Sequence, residues 1–176
     1  MDPMMDNYRL LARYNTWFNA CLFDACERLD DAARKAPRGA FFGSIHATLN
    51  HLLWGDAMWL GRFAAQGEAS DTLPADLLAL PAGARYETEL HADWAALRAH
   101  RARLDAAIEA WLDALPPDFP QRTMRYGNTK GVQREHPMWQ ALTHFFNHQT
   151  HHRGQVTTLL MQAGVDVGVT DLIALV

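Results

Sequence analysis

Apolar residues recur at three- and four-residue spacing along four long stretches of the chain, the signature of amphipathic helices. The first stretch, residues 3–29, sets Leu10, Tyr14, Trp17, Phe18, Cys21 and Leu22 on this period, with Pro3 near its start, where a missing N–H is harmless. The second, 44–66, follows "FFG": Ser44 is a natural N-cap and Gly67 a natural stop. Residues 67–84, "GEASDTLPADLLALPAGA", carry Gly, Ser, Asp and Pro at loop frequency, with room for one helical turn. A third helix is expected over 85–114, rich in Ala, Leu, Arg and Glu and halted by Pro116-Pro117.

In "QRTMRYGNTKGVQRE" the helical period breaks. Gly127-Asn128 and Gly131 flank two short alternating runs, which predicts an irregular hairpin-like excursion. Pro137 then opens a fourth helix that Gly164 closes, and Thr170 offers a cap for a short terminal turn. The expected fold class is all-α: one domain, 1–176, built as a four-helix bundle with the hairpin-like segment before its last long helix.

Within that fourth helix, "HFFNHQTHHRGQ" (144–155) places four histidines among Phe145, Phe146, Val156 and Leu159. At about 100° per residue, His144 and His151 lie toward solvent, His148 at the edge of the apolar arc and His152 within it. Histidines four apart face one another at a distance one metal ion can bridge, so His148 and His152 form half a site. A further ligand must come from another helix, and the second offers His46 and His51. That helix is apolar around most of its circumference, so the wheel does not rank them. Position favours burial of His51, in mid-run, and exposure of His46, near the start. The bland alternative is a set of ordinary core imidazoles, each satisfied by a carbonyl or carboxylate.

Other chemistry is weaker. No histidine has Glu three residues before it, which excludes the usual Glu-x-x-His di-iron pattern. Glu87 and His91 form an i,i+4 pair expected on a solvated face of the third helix. HExxH, P-loop, GxGxxG and GxSxG signatures are absent. The six tryptophans read as core.

Composition narrows the partners. A formal charge of -4 without a Lys/Arg cluster argues against nucleic acid, and no run of about 20 apolar residues suggests a membrane span. The opening "MDPMMDNYRL" lacks the basic and apolar regions of a secretory signal, so none is expected. Cys21 and Cys26 fall roughly 140° apart on a helix, so neither a disulfide nor a CxxC-type site is expected and the default compartment is cytoplasmic.

Taken together, "ARYNTWFNACLFDAC", "TLNHLLWGDAMWLGRF" and "HFFNHQTHHRGQV" resemble the DinB/YfiT-like superfamily over nearly the whole chain and in family order. The H-x3-HRGQ signature with an upstream histidine is the specific part. The resemblance implies an up-down-down-up four-helix bundle, often a homodimer. It also implies a divalent transition metal (Ni, Zn or Fe) held by three histidines, which correspond here to His51, His148 and His152. Asn15 matches a position of the opening motif without a role to assign. Relatives include transferases and isomerases that use low-molecular-weight thiols, so a small-molecule substrate and thiol transfer are implied, with hydrolysis close behind. A metal-stabilised bundle that binds a small molecule or partner without catalysis is the alternative. Asp56, Asn147, Gln149 and Gln155 are candidates to orient the ligand rings.

Overall fold

The computed structural model describes residues 2–176 and is mainly helical, with one small sheet. Helix α1 (Pro3–Cys26) starts as its sequence suggests, with the Asp2 carboxylate accepting from the Met4 N–H and Pro3 in the first turn. The short α2 (Asp31–Lys35) is capped by Asp30 and lays the Arg34 guanidinium over the Trp94 ring at 4.5 Å. Helix α3 (Ile45–Ala64) is capped by Ser44 and buried almost all round, which is why its apolar pattern has no polar face. Then come the single-turn α4 (Ala75–Leu78), α5 (Trp94–Ala114), the hairpin strands β1 (Thr123–Gly127) and β2 (Gln133–Pro137), and α6 (Met138–Gln162).

Packing places α1 against both α5 and α6, and α3 against α6. An aromatic chain ties three of these helices together. Phe63 of α3 stacks on Trp111 of α5 at 5.1 Å and meets Phe145 of α6 edge-on at 5.8 Å. Phe119, in the turn after α5, closes on Trp111 at 5.8 Å. Burying each such ring contributes about 2–3 kcal/mol relative to exposure. The hairpin pairs Thr123 with Pro137 and Gly127 with Gln133, and the Asn128 side chain accepts from the Lys130 and Val132 N–H groups to shape its turn.

Several boundaries differ from the sequence expectation. The first helix stops at Cys26 and the second at Ala64, each a turn or less early. The third helix begins at Trp94, not at 85, because Asp93 caps it by accepting from the Ala96 N–H. Residues 79–93 are instead irregular and fastened to α3 by Asn50, whose amide accepts from the His91 N–H (2.9 Å) and donates to its carbonyl (3.1 Å). Glu87 and His91 therefore form no helical pair: the His91 ring meets His100 at 2.8 Å. Asp171 rather than Thr170 precedes the terminal turn Leu172–Leu175, and the Thr170 carbonyl accepts from the Tyr14 hydroxyl. Both cysteines are free thiols; burial pushes Cys26 up to about 12. Trp139 departs from the core reading, being 41% exposed near the start of α6. Among the described residues no helix is long and apolar enough to cross a membrane.

Candidate metal centre

Two helices and one irregular segment build the site. His51 projects from the middle of α3, and His148 and His152 from successive turns of α6. Their ligand-capable nitrogens lie within 4.8 Å of one another, a grouping that could hold a metal ion. His51 Nε2 and His148 Nε2 are 3.2 Å apart, comparable to the roughly 3.0–3.4 Å between nitrogens that share an ion at about 2.0–2.1 Å.

Hydrogen bonding fixes which nitrogen each ring offers. His51 Nδ1 is 2.8 Å from the Tyr86 carbonyl, which only accepts, so Nδ1 carries the proton and Nε2 a lone pair. His152 Nδ1 is 2.8 Å from Gln155 Oε1, while the Gln155 amide nitrogen is 3.1 Å from His151 Nε2. That amide orientation again leaves Nε2 of His152 free. His148 has no protein hydrogen-bond partner among the described residues other than His51. Either His148 spends its proton on His51 or two lone pairs confront each other; a shared cation satisfies both.

Electrostatics keep the rings neutral and able to donate. Burial, then the repulsion that His152 and His51 would exert on a charged ring, hold His148 down to about 3. Burial likewise lowers His152 to about 4, opposed by its bond to Gln155, and lowers His51, opposed by the Tyr86 carbonyl. Phe42, from the loop before α3, stacks on His51 with centroids 3.9 Å apart and meets His152 edge-on at 5.5 Å. Gly55, one turn after His51, gives His148 its room: a Cβ there would lie 2.8 Å from His148 Cε1.

Two clefts reach the histidines. The larger, about 640 Å³, is walled by Trp54, Trp59, Tyr86 and Tyr126 and reaches His148 and His144. The smaller, about 380 Å³, borders His51, His152 and His151 between Phe41, Phe42 and Tyr86.

A second buried polar group lies nearby. Arg101 of α5 bonds Asp56 of α3 at 2.5 Å and contacts Asp105 at 2.7 Å. Asn15 and Asn19 of α1 donate to Asp105, and Arg153 of α6 donates to Asn15. All four long helices meet there. Burial raises Asp105 to about 6 against the pull of Arg101, and raises Asp56 as well.

These contacts sort the sequence candidates. His144 and His151 are exposed, as the helical wheel indicates. His46 is not: only 2% of it is accessible, because residues 89–91 fold over the start of α3, and its Nε2 meets the His91 carbonyl at 2.8 Å and Glu89 at 3.1 Å. Gln155 orients a histidine ring. Asp56, Asn147 and Gln149 bond to none of the three: Asp56 is taken by Arg101, Asn147 is exposed, and Gln149 is buried beside the ionic group. Asn15 acquires a role, bridging Arg153 and Asp105. Phe42, Gly55 and the Tyr86 carbonyl escaped sequence reading. Only Gly55 carried a signal, since an interior helix glycine costs about 0.5–1 kcal/mol relative to alanine and implies a packing reason.

A family model described as "DinB family" matches residues 4–175. Protein DinB of Bacillus subtilis (strain 168) is 26% identical over 161 residues, covering 92% of this chain and 88% of that protein. No solved structure matches the chain.

Proposed function

The chain belongs to the DinB family, and from that membership and its convergent imidazoles we propose a metal-dependent enzyme in which His51, His148 and His152 hold one divalent transition ion. The observation that carries this reading is the pair of Nε2 atoms of His51 and His148 facing each other at 3.2 Å, with the proton of His51 already committed to Tyr86. Three neutral nitrogen donors suit zinc, nickel or ferrous iron and leave further coordination positions open. When bound, such an ion supplies Lewis acidity, which lets water or a thiol act as a nucleophile near neutral pH.

The chain's own groups orient the donors. The Tyr86 carbonyl and the Gln155 amide hold Nδ1–H of His51 and His152, which fixes tautomer and ring direction. Phe42 and Trp54 flank His51 and keep water from its faces. The four long helices are read as the family's up-down-down-up bundle, with which the α1–α5, α1–α6 and α3–α6 pairings are compatible.

The favoured reaction is transfer of a low-molecular-weight thiol to an electrophilic small molecule, with hydrolysis second, in a cytoplasmic homodimer. Exposed Val169, Ile173 and Val176 give a second copy apolar surface to cover, and light scattering checks it. Visible spectroscopy of cobalt-loaded protein tests the thiol reading. Added cysteine or a cysteinyl sugar should change the ligand-field bands; no response to any thiol removes the transferase and leaves the hydrolase.

A further inference from the structure

The larger cleft has an electrostatic character that the whole chain lacks. Acidic residues outnumber basic ones, 20 to 16, yet Arg62, Arg85 and Lys130 line this cleft and no Asp or Glu does. None of the three makes an ion pair among the described residues. Of the twelve other arginines seven pair with a carboxylate, and Arg98, Arg101, Arg103, Arg122 and Arg125 do so within 3 Å.

Arg62 is the best placed of the three. It leaves α3 two turns beyond Gly55 and is half-buried. Its guanidinium rests on two aromatic rings, 4.7 Å from the Trp59 centroid and 4.7 Å from the Tyr126 centroid. Trp59 in turn packs on His144 at 4.9 Å, and His144 on His148 at 6.0 Å. Cation–π contact holds the group without consuming its N–H donors, and none of its side-chain donors makes a protein hydrogen bond among the described residues. A guanidinium fixed by rings, with a full set of donors unspent, is prepared for an oxyanion that can accept two parallel hydrogen bonds.

We propose that this cleft binds an anionic small molecule, an apolar or aromatic body bearing a carboxylate or phosphate head group, with Arg62 as the anchor for the oxyanion. The aromatic walls take the body, and Arg85 and Lys130 add attraction at the mouth. A molecule so held reaches toward His148 with its other end. That it is the substrate rests on the metal-centre reading above; that the cleft selects anions does not.

The test uses full-length protein stripped of metal, so that direct ligation cannot imitate Arg62. Ligand-observed NMR would compare benzoate, phenyl phosphate and neutral benzamide on the wild type, Arg62→Gln and Arg62→Lys. The proposal expects at least one anion to bind ten-fold or more tightly than benzamide. Arg62→Gln should abolish that preference while benzamide affinity stays unchanged, and Arg62→Lys should retain part of it. Benzoate or phenyl phosphate in the lead identifies the head group. Equal binding of anions and benzamide, or a preference that survives Arg62→Gln, overturns the proposal. Metal content measured on the same variants should not change, so failure here and failure of the metal centre are separately visible.

Discussion

The histidine centre and the ionic group around Arg101 share two helices, α3 and α6, and differ in what they leave unmatched. Asp56 follows His51 by five residues on α3, and Arg153 directly follows His152 on α6. In the ionic group two carboxylates, Asp56 and Asp105, stand against two guanidiniums, Arg101 and Arg153, so formal buried charge balances within the protein, although Asp56 Oδ1 and the Nε atoms of Arg101 and Arg153 have no hydrogen-bond partner. At the histidines nothing supplied by the chain lies between the facing nitrogens. Buried polarity that finds its complement inside the chain joins helices; three imidazoles whose ligand nitrogens gather within 4.8 Å could hold an ion brought from outside.

The largest effect should follow from breaking the matched group. Arg101→Met leaves Asp56 and Asp105 without the guanidinium that pairs with both and should lower stability by about 3–5 kcal/mol, read by chemical denaturation. An equally stable variant would mean that the four helices do not depend on that junction. His148→Ala, by contrast, should cost the metal-free fold far less, because no protein group other than His51 loses a hydrogen bond.

Gly55→Ala sharpens the same contrast on one helix. Alanine should add about 0.5–1 kcal/mol of helix stability, while its methyl group would crowd His148 Cε1 at 2.8 Å. Displacing a ligand ring should weaken metal affinity about ten-fold or more, comparable to losing an outer-shell partner. Stability held or gained with affinity lost is the expected signature; unchanged affinity would show that the ring has room to spare.

A smaller effect is expected from pH on the metal-free protein. His148 and His152 titrate near 3 and 4 when folded, below their ordinary 6.5, so the unfolded chain binds more protons between these values. Stability should therefore rise with pH from about 4 to 6.5, and its loss on acidification should level off once acid charges the folded rings as well. Asp105 works in the opposite direction, since the folded state holds its proton up to about 6 against 3.8 unfolded. His51 is lowered as well and Asp56 raised, so three histidine shifts oppose two carboxylate shifts and the net slope should be positive. Denaturation midpoints that fall across pH 4–6.5 would put the ionic group, not the histidines, in control.

How much of this was readable in the chain follows from the range of each interaction. Spacing places His148 and His152 on one side of a helix, because a four-residue step is local geometry. Caps at Ser44 and the break at Gly127-Asn128 are local as well. His51 could be singled out from the burial of its helix, but that argument misjudged His46, whose cover comes from residues 89–91 folding back over α3. The Tyr86 carbonyl has no sequence signal at all, since every residue owns one. Asn50 fastens the same irregular segment to α3 at the backbone of His91, and the Asp93 cap that follows marks the late start of α5. The ionic group is equally non-local: Asn15 and Asp105, or Asp56 and Arg101, are ordinary polar residues until four helices meet.

That three imidazoles bind one ion is a statement about stoichiometry, and metal content tests it. Untagged protein should carry close to one equivalent of a divalent transition metal by elemental analysis. His51→Ala and His148→Ala should lose it while keeping the wild-type helical circular dichroism. Wild-type protein that stays metal-free after dialysis against zinc, nickel and ferrous iron, or a His148→Ala variant that keeps its ion, would contradict the claim.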